Sequence, residues 1–381
     1  MAEGDIGAVL GNLEFDAVDG AAPEILHVAG IVYAVAYGGP LGAGWIKTVT
    51  ISADGATVAL VDGGSLEFDA VGSMVDFIHV TGHVFAVAYR GPDDDGWIKT
   101  VTISDDGATI ALAGGSLEFD NAYCQWPCII HVGGTVYAIA YEAFAYDGII
   151  KAITISADGA TIVLAGGSLM FENVCPFDSN IAHVTNNVFV IAYQTSGPIL
   201  RIKTVTISAD GATVALADGS LDFALSIGTT SEIIKITDSV FAVAYTGPDN
   251  DGWIKTVTIS ADGATIALAG GSLEFDAGYC LYPDIRRVSS NVYAIAYTST
   301  LNHGWIKTVT ISVDGVISFR DETGLDFNPL GCSRPDMVFT AGNVYAIAYM
   351  GAGNDGFVTT VEIETVAAAG RIQHLLLIGI G

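Results

Sequence analysis

The chain has 381 residues, 51% of them hydrophobic and only 15% charged, with 42 acidic against 14 basic side chains for a formal charge of −28. A surface that acidic repels nucleic acid and anionic lipid, which argues against both as partners. No apolar run reaches the roughly 20 residues that span a bilayer, and the opening MAEGDIGAVLGNLEFD carries no basic-then-apolar leader.

The first predicted element is a strand over residues 6–16, IGAVLGNLEFD, which matches IALAGGSLEFD at 110–120. A four-strand unit follows: strand A near 24–30, strand B at 32–37, strand C at 45–52, and strand D over 56–68 with a kink at Gly63–Gly64. All four are rich in Val, Ile, Thr and aromatics, with Gly, Pro, Asn and Asp gathered between them. Between C and D stands SADGAT, whose Asp-Gly step is a strong hairpin signal because glycine accepts the positive φ the turn needs. Strand B is apolar on both faces, Val32, Ala34 and Ala36 on one and Tyr33, Val35 and Tyr37 on the other. Such a strand is covered on both sides, small residues facing one neighbour and bulky ones the next.

The unit then recurs. Tyr37, Tyr89, Tyr141, Tyr193, Tyr245, Tyr297 and Tyr349 each end strand B, every one 52 residues after the last. GWIKTVTIS marks strand C at 44–52, 96–104, 252–260 and 304–312, with looser copies at 148–156, 200–208 and 356–364. The seventh copy lacks its own Asp-Gly turn and strand D, which residues 6–16 supply. The expected fold is therefore an all-β, seven-bladed β-propeller of four antiparallel strands per blade, closed by the N-terminal strand. An open β-solenoid is the competing architecture, and it leaves the two half-units unexplained. The propeller is expected over 1–366. The hydrophobic tail at 367–381 is too short to span a membrane, so no insertion is expected, and it predicts an oligomer or fusion contact.

Through these repeats the chain resembles seven-bladed repeat propellers of bacterial, archaeal and phage surface proteins. That resemblance implies an extracellular, cell-surface or virion-surface setting. The C–D turn is also similar to the Asp-box of sialidase-type propellers, though one residue shorter and without its tryptophan. In that family the box is structural, and no arginine triad can be assigned here.

The strands repeat; the B–C and D–A connections vary, and both emerge on one face of a propeller. Aromatics and cysteines cluster there, and the candidate ligand patch is Tyr123, Trp126, Phe144, Tyr146 and Phe177, with Asp147 and Asp178 as polar partners. Aromatic faces cover the apolar side of a sugar or anchor a protein side chain. A plug between blades is the bland alternative. Asp93, Asp94 and Asp95 resemble part of a calcium loop but lack the downstream bidentate acid, so a solvated turn is the simpler reading and no cofactor is expected. His27, His79, His131 and His183, then Lys235, Arg287 and Phe339, share one phase of strand A near the central channel. They read either as an axial anion or metal site or as side chains bonded to neighbouring backbone. The recurrent lysines of strand C (Lys47, Lys99, Lys151, Lys203, Lys255, Lys307) predict structural ion pairs with the LEFD strand. Cys124, Cys280 and Cys332 share a phase and Cys175 is one residue off, so neighbouring blades bring Cys124 or Cys128 toward Cys175 and Cys280 toward Cys332, which predicts at least one pair within disulfide reach.

Three functions fit: a non-catalytic module binding a glycan or protein on the loop face, a polysaccharide lyase or glycosidase using that face, or a structural surface component. A glycosidase needs two carboxylates roughly 5–9.5 Å apart, and no distinctive pair stands out. The binding module is the expected function.

Overall fold

A computed structural model describes residues 2–173, 177–225 and 231–365. Seven four-stranded sheets stand in a ring, and within each the strands run antiparallel in the order A-B-C-D outward from the axis. Blade 1 is A Ala21–Ala29, B Val32–Gly38, C Gly44–Ile51 and D Val58–Asp69. The last blade takes A Ser333–Ala341, B Val344–Met350 and C Gly356–Ile363, and its outer strand is Ile6–Asp16 from the N-terminus. The expected closure is present. The expected tail at 367–381 lies outside the described residues.

Blades stack as the two-faced strand B requires. Tyr33, Val35 and Tyr37 of blade 1 pack on Ala346 and Ala348 of blade 7, while Ala34 and Ala36 face Phe85, Val87 and Tyr89 of blade 2. Large against small lets flat sheets approach closely, and the wedges between blades hold the hydrophobic core.

Strand D is one continuous strand with a bulge at the expected kink, where the register slips opposite Lys47–Val49 and Gly63 takes φ 79°. A Cβ on Gly64 would sit 1.8 Å from Thr48 Oγ1, so only glycine lets the strands close there. That threonine pins two blades. Thr48 Oγ1 donates to Gly107 O of the next blade's turn at 2.7 Å. Thr100, Thr204, Thr256, Thr308 and Thr360 make the equivalent bond to Gly159, Gly263, Gly315, Gly4 and Gly55.

Blade 3 breaks the series: buried Ala152 stands at that position, opposite Gly211 O. Ala152→Thr is expected to restore the seventh pin and raise stability by about 1 kcal/mol, read by urea denaturation. A loss of stability would show that this wedge has no room for the hydroxyl.

The lysine expectation also holds, with the acid supplied by the preceding blade. Lys47 Nζ lies 2.8 Å from Asp16, and Lys99, Lys151 and Lys203 pair likewise with Asp69, Asp120 and Glu172. The tyrosine ending strand B joins each pair, as Tyr37 donates to Asp16 at 2.7 Å. Burial alone would raise the Asp16 carboxyl, but the Lys47 and Tyr37 hydrogen bonds outweigh it and hold the group below its usual range. Blade 5 departs from the pattern: Ala224 replaces the acid, so Lys255 reaches only Phe223 O and burial lowers its ammonium.

Candidate functional site

The D–A connections and B–C loops hydrogen-bond to each other, Gly72 N to Gly42 O, Cys124 N to Asp94 O, Cys280 N to Asn250 O and Cys332 N to Asn302 O. Both sets therefore share one face. On that face a cavity of about 230 Å³ opens at the axis, lined by the first residues of the seven inner strands.

Its mouth is shaped by a repeated irregularity. In blades 1, 2, 3, 6 and 7 the inner strand slips register after its first residue, and the second residue sits in the left-handed region: Ala22 (φ 45°), Met74 (51°), Trp126 (46°), Tyr282 (51°) and Arg334 (52°). Left-handed backbone costs an L-residue roughly 1–2 kcal/mol, and such bulges re-aim side chains. Here they turn these side chains onto the cavity. The Arg334 guanidinium lies 3.5 Å from the Trp126 ring centre and 4.2 Å from that of Tyr282, a cation held between two aromatics from blades 3 and 6.

Below the mouth runs a ring that the sequence reading missed: Glu24, Asp76, Cys128, Asn180, Glu232, Asp284 and Asp336, one per blade and 52 residues apart. Several reach the next inner strand. Asp76 accepts from Ile129 N at 2.6 Å, Asp284 from Met337 N at 2.7 Å and Asp336 from Ile25 N at 2.7 Å. Arg286 serves three of them, pairing with Glu232, with Asp284 at 2.9 Å and with Asp336 at 2.7 Å. On the opposite arc, burial and the neighbouring Asp336 and Asp76 push the Glu24 carboxyl well up. Burial likewise raises Asp76 to about 6, against hydrogen bonds from Ile129 and Cys128.

The predicted patch is divided by the structure. Trp126 is at the axial mouth. Tyr123 packs under Arg90, 5.9 Å away, while Phe144 and Tyr146 are exposed on a loop tip, 71% and 54% accessible, beside half-buried Asp147. Phe177 and Asp178 begin the inner strand of blade 4; their side chains lie outside the described residues. The mouth partners Tyr282 and Arg334 were not in the predicted patch, although both share the 52-residue phase of Trp126 and Asp178.

The histidines occupy the opposite end of the inner strands. Nε2 of His27, His79, His131 and His183 bonds the carbonyl three residues on, at 2.9–3.1 Å, and each ring tilts against the aromatic at the start of strand B. Lys235 reaches Val184 O and Arg287 reaches Ile236 O, while Phe339 packs on Tyr345. Each basic side chain of this ring bonds a backbone carbonyl, and Lys235 also pairs with Asp238 at 3.1 Å. Asp93, Asp94 and Asp95 diverge: Asp93 sits at a left-handed tip, Asp94 pairs with Arg90, and Asp95 stands beside Glu118, whose carboxyl is pushed up. Among the described residues no group of three or more His, Cys, Asp or Glu is placed to hold a metal ion.

The Cys280–Cys332 disulfide is a correction. Both thiols are free and buried, Cys280 in the wedge of blades 5 and 6 and Cys332 in that of blades 6 and 7. A shared phase places two residues one blade apart, which brings them together only near the axis. Cys124 and Cys128 are also free, and Cys175 lies outside the described residues.

No protein-family model matches the sequence, and no curated protein does. Solved structures do. Sqt1 from Chaetomium thermophilum, bound to the N-terminus of ribosomal protein L10, is 14% identical with a TM-score of 0.50 over 91% of this chain and 86% of its own. A Bacteroides fragilis protein provisionally assigned as a 6-phosphogluconolactonase is 12% identical, TM-score 0.53, over 90% and 96%. BBS1N in complex with ARL6DN is 9% identical, TM-score 0.53, over 96% and 99%. At such identities the likeness shows the propeller fold alone.

Proposed function

We propose that this protein is a non-catalytic interaction module that holds a protein segment across the loop face, over the axial cavity. The observation that carries this reading is the Trp126–Arg334–Tyr282 stack, set at the cavity mouth by backbone that is unfavourable for those residues. Locally costly backbone is retained where the surrounding fold fixes a useful side-chain position. Around the mouth, Leu41, Phe144, Tyr146 and Leu301 stand exposed on the B–C loop tips, apolar points of the kind that anchor protein partners. The same fold carries a protein segment in the Sqt1 complex and a protein in the BBS1N complex.

The test is a displayed peptide library and a glycan array, each run against the wild type, Trp126→Ala/Tyr146→Ala, and Asp105→Ala on the opposite face, where that side chain is 75% exposed. Selected peptides should lose the first variant by about tenfold or more, roughly 1.4 kcal/mol, and keep the second, with melting temperatures nearly unchanged. Binding lost only through the opposite-face variant would place the ligand on the other side of the disc. Glycan hits without peptide hits would replace protein by carbohydrate.

A further inference from the structure

We infer that the axial cavity is a cation site that takes one guanidinium or ammonium side chain of the protein partner, seated against Glu24 and Asp76. This rests on the loop-face reading above and names the chemistry of the segment bound there.

The ring is unbalanced. Its five carboxylates share one guanidinium, and Arg286 spends that charge on Glu232, Asp284 and Asp336. Glu24 and Asp76, on the arc from blade 1 to blade 2, have no ion pair of their own among the described residues: Arg286 pulls on Glu24 only through space, and burial still pushes both carboxyls up. Buried carboxylates without a counter-charge are costly, and a cation that brings several N–H donors relieves them. Arg286 shows the geometry a guest would repeat, since one planar fork already bridges three ring positions.

A second observation is independent of charge. Four blades place proline immediately before the ring residue (Pro23, Pro127, Pro283, Pro335) and blade 2 places Val75. Blades 4 and 5 instead place Ser179 and Ser231, only 6% and 9% exposed, lining the same cavity. Their hydroxyls make no hydrogen bond among the described residues. A buried hydroxyl left unbonded costs roughly 1–3 kcal/mol, and here apolar residues fill the same place in the other blades. Both oxygens can accept from a guest's N–H groups. The volume agrees, because about 230 Å³ falls below the roughly 300–1,000 Å³ of drug-sized ligand sites and suits one side chain. At the mouth, Trp126 and Tyr282 already hold a guanidinium, that of Arg334, so the entrance accepts the same chemistry.

The experiment is calorimetric titration of the full chain with the capped peptide Gly-Gly-Arg-Gly-Gly, its citrulline counterpart, and spermidine. Citrulline keeps the shape and removes the charge. Two single variants each remove one acid: Glu24→Gln in the cavity and Asp105→Asn on the far turn, which is 75% exposed. The arginine peptide should bind, the citrulline peptide should not, and Glu24→Gln should weaken binding about tenfold, worth roughly 1.4 kcal/mol, while Asp105→Asn leaves it unchanged. Glutamine preserves size and hydrogen-bonding capacity; Asp76→Asn, which keeps an acceptor for Ile129 N, gives the same reading if Glu24→Gln fails to fold. Equal binding of both peptides, equal weakening by both variants, or no binding at millimolar peptide would overturn the site. Spermidine binding without peptide binding would overturn the partner side chain in favour of a free amine. If library peptides bind the loop face but show no preference for basic residues, only the cation site falls and the interaction reading stands.

Discussion

Removing residues 1–16 is expected to cost about 5 kcal/mol or more and to turn the protein into an aggregating species. The deletion strips the outer strand from Gly356–Ile363 and leaves its N–H and C=O groups as an open edge. Phe15 is 1% exposed in the wedge between blades 7 and 1, and burying such a side chain contributes roughly 1.5–3 kcal/mol. Asp16 goes with it, leaving Lys47 and Tyr37 without the carboxylate they share. Farther back, Gly4 O accepts the blade-pinning bond of Thr308 at 2.6 Å, and Asp5 pairs with Arg320 at 2.8 Å. The segment therefore joins blades 6, 7 and 1 at once. Chemical denaturation and light scattering read the result. A truncated chain that stays monomeric with an unchanged midpoint would mean the ring closes without this strand.

The residues that made the fold legible are those that recur with little change. Strand B declares its two faces by alternating alanine with bulky residues, and the Asp-Gly turn declares the hairpin. The lysine pairs were legible for the same reason. The axial ring was not, because its seven positions use Glu, Asp, Cys and Asn and look like ordinary strand-edge polarity in any single blade. Only the 52-residue phase unites them, and that phase singled out the histidines three residues later because they are chemically more conspicuous. The bulge that aims Trp126, Tyr282 and Arg334 leaves no residue signature, since left-handed backbone there is occupied by Ala, Met, Trp, Tyr and Arg. The cysteine pairing failed through geometry: equal phase means equal radius, and at the radius of Cys280 and Cys332 a full blade intervenes.

Arg286→Met is expected to destabilise the protein by roughly 3–5 kcal/mol at neutral pH, the cost of leaving buried carboxylates without their cation. The methionine fills similar volume but removes the partner of Glu232, Asp284 and Asp336, and the bond from Arg286 Nε to Met337 O at 2.9 Å. The loss should depend on pH in a definite direction. In the wild type, burial pushes up Asp284, against the pull of Arg286, and pushes up Glu24 and Asp76, the last to about 6. A carboxyl raised above its unfolded value of about 4 binds its proton more tightly when folded. Its contribution is thus full below pH 4 and is lost as pH rises through the folded value, which for Asp76 is about 6. Asp16, Asp69, Asp120 and Glu172 are lowered, so theirs is full above pH 4 and is lost as pH falls below it. The two sets together set a stability maximum on the acid side of neutrality. Without Arg286 the Asp284 carboxyl loses the charge that opposes its burial, and protonation becomes its remaining relief. The gap between variant and wild type should therefore narrow from pH 8 toward pH 5. Melting temperatures of both proteins across that range decide it: a gap that stays constant would mean Arg286 acts through packing and its backbone bond, with the charge of the ring irrelevant to the fold.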